Sequence, residues 1–386
     1  MLSTGAGLST ATDARQAAVE AAMAARAGLT APPSLALVFA SPHHTDRAGD
    51  VLDAVHEAAG PGTVLGCVGE AVVGEAREVE EAPAVSVWLG SFTGDPEPFA
   101  MDVVETDQGI GLAGWPPDGE GRGHILLCDP FTFPVDLVLG YVNGNVPGAV
   151  VVGGMASGGG APGETRLFLG REVRNRGAVG IRVPPGVRVR TVVSQGCRPV
   201  GEAYTVTRSE GNVIHELAGR PPLERVRELA TSLPDRDRTL LSRGLHIGRV
   251  IDEYKPRWDR GDFLIRGVIG ADAESGAIAV GDAIPVGETV RFHVRDAASA
   301  DEDLRALLAG VGPPPAGALL FTCNGRGSRL FGEPDHDAAL VSSELGGLPL
   351  AGFFCAGELG PVGGKNFLHG FTASLALLDE EPSAAR

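Results

Sequence analysis

The chain has 386 residues, a formal net charge of −17, 43% apolar and 21% charged residues, 56 glycines and only 5% aromatics. That length exceeds one small core and implies two domains of roughly 150–200 residues each. So acidic a chain repels phosphate backbones and anionic lipid, which argues against nucleic acid and membrane surfaces as partners.

Residues 11–27 read as an alanine-rich amphipathic helix within an N-terminal extension, 1–33, that is expected to be helical and packed on the first sheet. The opening MLSTGAGLST has no basic and apolar leader pattern, and no run approaches the roughly 18–20 apolar residues of a membrane span. The expected location is therefore the cytoplasm.

Three segments then repeat one plan. The first is SLALVFA at 34–40, a helical GDVLDAVHEAAG at 49–60 and TVLGCVGEAVVGE at 63–75. The second is HILLCDP at 124–130, PVDLVLGYVNG at 134–144 and GAVVVGGMASGGG at 148–160. The third is GALLFTCNGRG at 317–327, PDHDAALVSSELGG at 334–347 and LPLAGFFCAGELG at 348–360. Each predicts a strand, a helix, a return strand and a glycine turn, with Gly60, Gly144 and Gly346 as helix-terminating glycines.

The tetrad Cys67-Val68-Gly69-Glu70 matches Cys355-Ala356-Gly357-Glu358, and the second segment places Gly154-Met155-Ala156-Ser157 there. Further strands follow the outer units at 84–90 and 372–378. Between the units, strands are predicted at 165–170, 178–183, 187–194, 263–272 and 288–296, in an antiparallel or mixed sheet. A helix is predicted at 223–234, and the prolines at 313–315 mark a linker or loop. The expected class is α/β (α+β): two related halves of strand-helix-strand units with glycine-rich turns, in mixed sheets flanked by helices. The expected domains are 34–225 and 226–380, with a tail at 381–386.

Several chemical motifs are incomplete. Gly109-Ile110-Gly111-Leu112-Ala113-Gly114 fits GxGxxG, but Trp115-Pro116-Pro117 follows where a dinucleotide site needs a helix, so a loop is expected. Before Gly364-Lys365 the phosphate-loop glycine is replaced by Leu359, and Asn366 stands where the magnesium-binding hydroxyl belongs. His56-Glu57 and His215-Glu216 run into Gly60 and Gly219, in the vicinity where a zinc-protease helix needs its second histidine. There is no GxSxG elbow. The five cysteines have long spacings and no CxxC pair, so neither disulfides nor zinc are expected.

What remains is a set of glycine turns bearing polar groups. The candidate ligand-binding residues are Cys67, Gly69, Glu70, Gly154, Ser157, Cys323, Gly325, Arg326, Cys355, Gly357, Glu358 and His369. Equivalent strand ends related by a pseudo-twofold would bring these turns to one pocket. Arginine there forks onto a carboxylate, glutamate meets an amine, and glycine exposes amides. No catalytic residue, cofactor or metal is assigned. Two other readings stay open: a thiol-dependent enzyme using Cys67, Cys323 or Cys355 with His369 as base, and a protein-interaction scaffold.

Taken together, GCVGEAVVG at 66–74, DPFTFPVD at 129–136, VVGGMASGG at 151–159, SQGCRPVGEAYTVT at 194–207, FTCNGRGSRLFG at 321–332 and GFFCAGELGPVGGKNFLHGFTASLALL at 352–378 resemble the FIST family. Its members carry a FIST N domain followed by a FIST C domain. The resemblance implies a sensory domain of signal transduction that binds a small-molecule ligand such as an amino acid. With no output segment visible, such a chain is expected to signal through a partner protein or to act by binding alone.

Overall fold

A computed structural model describes residues 2–106, 109–117 and 121–381. They form two compact units. One comprises residues up to Val193, Arg305–Leu368 and the chain from Thr372 onward; the other comprises Ser194–Leu304 and His369–Phe371.

In the first unit the leading strands form where the apolar runs place them, at Leu35–Ala40, Gly123–Cys128 and Gly317–Cys323. Each leads through a helix, Ala48–Ala59, Val135–Asn145 or His336–Glu344. Each then pairs in parallel with its return strand, Thr63–Val68, Val150–Met155 or Leu350–Cys355. All three leading strands are buried throughout, so they read as continuous apolar runs rather than alternating ones. Helix Ala48–Ala59 stops at Gly60, whose left-handed φ of 59° is adopted most cheaply by glycine. Gly144, expected to stop the second helix, lies inside it; the helix ends at Asn145 and Gly148 takes the positive φ, 71°.

After each return strand comes a hairpin, and the hairpins are exchanged. Val72–Gly74, from the first repeat, pairs with the return strand of the third. Glu358–Val362, from the third, pairs with the return strand of the second. Leu167–Leu169, from the second, pairs with the return strand of the first. The cycle thus closes over three repeats, and the pseudo-twofold expected for the turns gives way to it. Three sheets of one order result. An antiparallel strand, Val85–Ser91, Ala178–Arg182 or Thr372–Glu380, lies beside each leading strand, opposite the return strand. One core draws on all three repeats, including Phe39, Cys67, Leu127, Val152, Phe321, Phe353 and Cys355. Phe39 stacks on Phe353 with ring centroids 5.2 Å apart.

The N-terminal extension holds more than its helix. Ser3–Ser9 is a strand, paired antiparallel with Val85–Ser91. Helix Ala14–Ala27 buries Ala14, Ala17, Ala18, Ala21, Ala22 and Ala25, a stripe of small residues at helical spacing. The helix lies so close to the strand that a Cβ on Gly5 would sit 2.0 Å from the Ala25 carbonyl oxygen. The strand was illegible because most of its residues are small and only Thr4 is β-branched. Likewise the GxGxxG segment is neither a helix opening nor a loop: Gly109–Ala113 is an edge strand paired with Glu97–Thr106.

The second unit is a closed barrel of six antiparallel strands: Cys197–Glu210, Val213–Leu217, Ile278–Val280, Phe263–Ala271, His246–Val250 and Thr289–Arg295. Closure removes the free edges that an open antiparallel sheet would leave.

The barrel carries an acid sensitivity. His246 and His293 face each other in register and are almost fully buried. Burial, with Arg295 nearby, lowers His246 to about 4. Burial likewise lowers His293 to about 3, partly opposed by its bond to the Arg291 carbonyl. Both are neutral in the fold, whereas the unfolded chain takes protons near the ordinary value of about 6.5. Their contribution is therefore fully present above about pH 6.5 and is lost as pH falls toward the folded values, at roughly 2 kcal/mol per histidine by about pH 5. Urea midpoints measured from pH 7.5 to 5 should fall less steeply in His246→Gln than in the parent chain. Equal slopes would reject this assignment.

Candidate functional site

The ends of the return strands are tied together by hydrogen bonds that recur in each repeat. Val68, Met155 and Phe354 donate their amides to the carbonyls of Arg166, Gly357 and Ala71, at 2.9, 2.8 and 3.0 Å. Each acceptor precedes an exchanged hairpin. Gly66, Gly153 and Gly352 pair with the second residues of those hairpins, Phe168, Leu359 and Val73.

This register makes Cys67, Gly154 and Phe353 equivalent. The first two segments align as the sequence pattern places them, but the tetrad match with the third is displaced by two residues. Cys355 stands where Gly69 does, not where Cys67 does. An even displacement keeps both cysteines on the core face, because side chains alternate with period two.

Several candidate residues do meet. Ser157 accepts from the Glu70 amide at 2.8 Å and donates to the Phe354 carbonyl, tying all three repeats together. Gly154 lies against Cys355; a Cβ there would sit 2.4 Å from its Sγ. Gly69 donates to the Ala40 carbonyl at 2.9 Å, and the Gly357 carbonyl holds Met155 as described. Cys323 and Cys355 are paired in register. The Cys323–Arg326 segment containing Gly325 is closed by the Arg326 amide on the Cys323 carbonyl at 2.8 Å. His369 is buried and belongs to the barrel unit rather than to the unit that carries the turns.

Arg326 makes the fork expected of it, but with an internal carboxylate. Its Nε and Nη2 donate to Asp337 Oδ2 and Oδ1 at 2.6 and 2.8 Å, and neither side chain is exposed. Asp337 also accepts from Thr322 at 2.9 Å, and His336 Nδ1 lies 3.1 Å from it. Burial alone would raise the Asp337 carboxyl, but the guanidinium outweighs it and holds the group well below the usual range. The assignment of Arg326 to a ligand carboxylate is therefore corrected: its bidentate face is taken up inside the fold.

Two buried carboxyls flank this pair. Burial pushes Glu78 up to about 8, reinforced by Asp337 and opposed by a bond from the Ala338 amide. Burial also pushes Glu358 up to about 8, against bonds from Thr372 Oγ1 at 2.7 Å and its amide at 3.1 Å. Burial raises the Cys67 and Cys355 thiols well above their ordinary value, which leaves little thiolate and does not suit either as the first attacking group of a thiol enzyme.

What faces solvent is a recess of about 40 Å³ beside these turns. It is lined by Glu70, Glu80, Glu81, Asn324, Ser328 and Arg329 and backed by Ala71 and Phe354. Arg329 Nη2 donates to Glu70 Oε1 at 2.6 Å, in a pair whose side chains are 61% and 34% exposed. Glu80 accepts from the Ser328 amide at 2.9 Å and its hydroxyl at 2.7 Å.

Of the expected residues only Glu70 lines the recess; Arg329, Asn324 and the Glu80–Glu81 pair were missed. One signal was available: GRGSRLFG holds two arginines three apart. Ser328–Phe331 forms a helical turn, and Arg329 on it is exposed while Arg326 is buried. Among the described residues no group of three His, Cys, Asp or Glu side chains could hold a metal ion, and no helix is long and apolar enough to cross a membrane.

The FIST N domain matches residues 34–220 and the FIST C domain matches 222–361. The chain is 51% identical over 380 residues to an uncharacterized protein of Mycobacterium tuberculosis, covering 97% of this chain and 98% of that one. It is 50% identical over 383 residues to an uncharacterized protein of Mycobacterium bovis, covering 98% and 99%. The two domain matches, the full-length relatives and the ordered turn motifs agree: this chain belongs to the FIST family of sensory, signal-transduction domains, with its N and C domains in tandem.

Proposed function

We propose that the chain is a small-ligand sensor whose recess at Glu70 and Arg329 takes the zwitterionic head group of an amino acid. The observation that carries this reading is the meeting of one accessible guanidinium with three carboxylates in a recess of about 40 Å³. An exposed ion pair is worth only about 0–1 kcal/mol, so the Arg329–Glu70 contact opens at little cost. Arg329 then forks onto the ligand carboxylate while Glu70 receives the ammonium group. The Asn324 side chain adds a donor and an acceptor. A recess of this size admits the head group and leaves the ligand's side chain outside. The bound state passes to a signalling partner, and the chain itself carries out no chemistry on the ligand.

A thermal-shift screen of the purified chain against amino acids tests this. A ligand at about 100 times its dissociation constant stabilises the fold by roughly 2.7 kcal/mol. Arg329→Ala and Glu70→Gln should each weaken binding at least about tenfold, with unliganded stability unchanged within about 0.5 kcal/mol because both side chains are at the surface. An amino acid bound equally well by both variants would place the site elsewhere.

A further inference from the structure

We propose that Cys323 and Cys355 form a peroxide-responsive thiol pair, which closes to a disulfide between neighbouring parallel strands and reopens on reduction. The two are direct partners in register at the ends of Gly317–Cys323 and Leu350–Cys355. Cys323 follows Leu319 and Phe321 at every second position, as Cys355 follows Ala351 and Phe353, and the latter residues all lie in the same core. Both thiols therefore project from one face of the sheet. Adjacent strands lie about 4.8 Å apart, within the Cα separation of about 4.4–6.8 Å that a disulfide spans. Side chains in register on parallel strands leave the sheet side by side, whereas the bond needs the two Cβ atoms at about 3.5–4.5 Å. Closure therefore needs a small local tilt, which makes the bond readily reduced.

The surroundings supply the rest. Cys323 is 7% exposed and Cys355 not at all, so Cys323 is the residue that meets a water-sized oxidant. The Cys323 thiol donates to Asn324 Oδ1 at 3.8 Å, and the Glu358 carboxyl, which Thr372 holds in place, lies beside it. Burial raises that carboxyl to about 8, so its anion is a stronger proton acceptor than an ordinary carboxylate. Cys355 Sγ rests against Gly154, where any Cβ would displace it.

In the proposed sequence Glu358 takes the Cys323 proton and the sulfur attacks one oxygen of hydrogen peroxide. The S–O bond forms, the O–O bond breaks, and the departing hydroxide takes a proton and leaves as water. The Cys355 sulfur, giving up its proton, attacks the sulfenic sulfur; the S–S bond forms, the S–O bond breaks, and a second water leaves. Two thiols lose two electrons in all, and one peroxide becomes two waters.

Mass spectrometry of the whole chain decides it, and does so independently of the amino-acid reading. The reduced protein is treated with hydrogen peroxide in slight excess, blocked with N-ethylmaleimide and digested without reductant. The expected product is one peptide joining Cys323 to Cys355, lost on treatment with dithiothreitol. Cys355→Ser should instead leave Cys323 as a sulfenic acid that dimedone traps. Glu358→Gln should slow closure at least about tenfold, at unchanged reactivity of the other cysteines. The proposal is overturned if peroxide leaves both thiols blocked by maleimide, joins another pair, or carries Cys323 to the sulfonic acid with Cys355 still present.

Discussion

Gly352→Ala is expected to cost roughly 3 kcal/mol, more than most single substitutions in this chain. A Cβ at Gly352 would stand 1.8 Å from the Leu320 carbonyl oxygen, its partner across the parallel pair. The same collision recurs at Gly66, 1.9 Å from the Val38 oxygen, and at Gly153, 2.0 Å from that of Leu126. The obstacle is backbone, not the end of a flexible side chain, so relief means parting the strands that carry the core. Gly153 adds a φ of 145°, which L side chains rarely adopt. The matching control is Gly49→Ala. It lies in the helix Ala48–Ala59 with nothing within 4 Å of the added atom, and alanine there should stabilise by about 0.5–1 kcal/mol. Urea unfolding of Gly352→Ala, Gly66→Ala, Gly153→Ala and Gly49→Ala checks both signs. A Gly352→Ala midpoint within error of the parent chain would mean that the strand pair yields.

Asp337→Asn is the second large effect. It leaves the Arg326 guanidinium buried without its anion, and losing one partner of a buried pair costs about 3–5 kcal/mol. Removing both charges in Arg326→Met with Asp337→Leu should recover much of that, because the desolvation of each charge disappears along with the pair. The contrast with Arg329 is the point of the measurement. Arg329→Ala should leave stability nearly unchanged and act on ligand binding, whereas substitutions at Arg326 act on stability before binding is reached. If Arg326→Ala unfolds at the same urea concentration as the parent, its pairing with Asp337 is not structural.

These effects bear on how far residues alone could be read. The strands at 34–40, 124–130 and 317–323 and their helices were legible because burial on both faces leaves continuous apolar runs and the helices carry apolar faces at helical spacing. The order of motifs such as GCVGEAVVG and FTCNGRGSRLFG carried the family. Both are local properties of the chain.

Three matters were decided only in three dimensions. Hairpin exchange depends on which strand edge meets which, so it sets the register that aligns Cys355 with Gly69 and undoes the apparent match of the tetrads. The use of the two arginines in GRGSRLFG depends on what encloses each: Asp337, eleven residues on, seals Arg326 inside, while the short helical turn leaves Arg329 at the recess. The barrel was invisible as a barrel because closure joins Cys197–Glu210 to Thr289–Arg295, strands separated by most of the second unit. Periodicity reports which side of an element is buried; it carries no information on the distant partner that buries it.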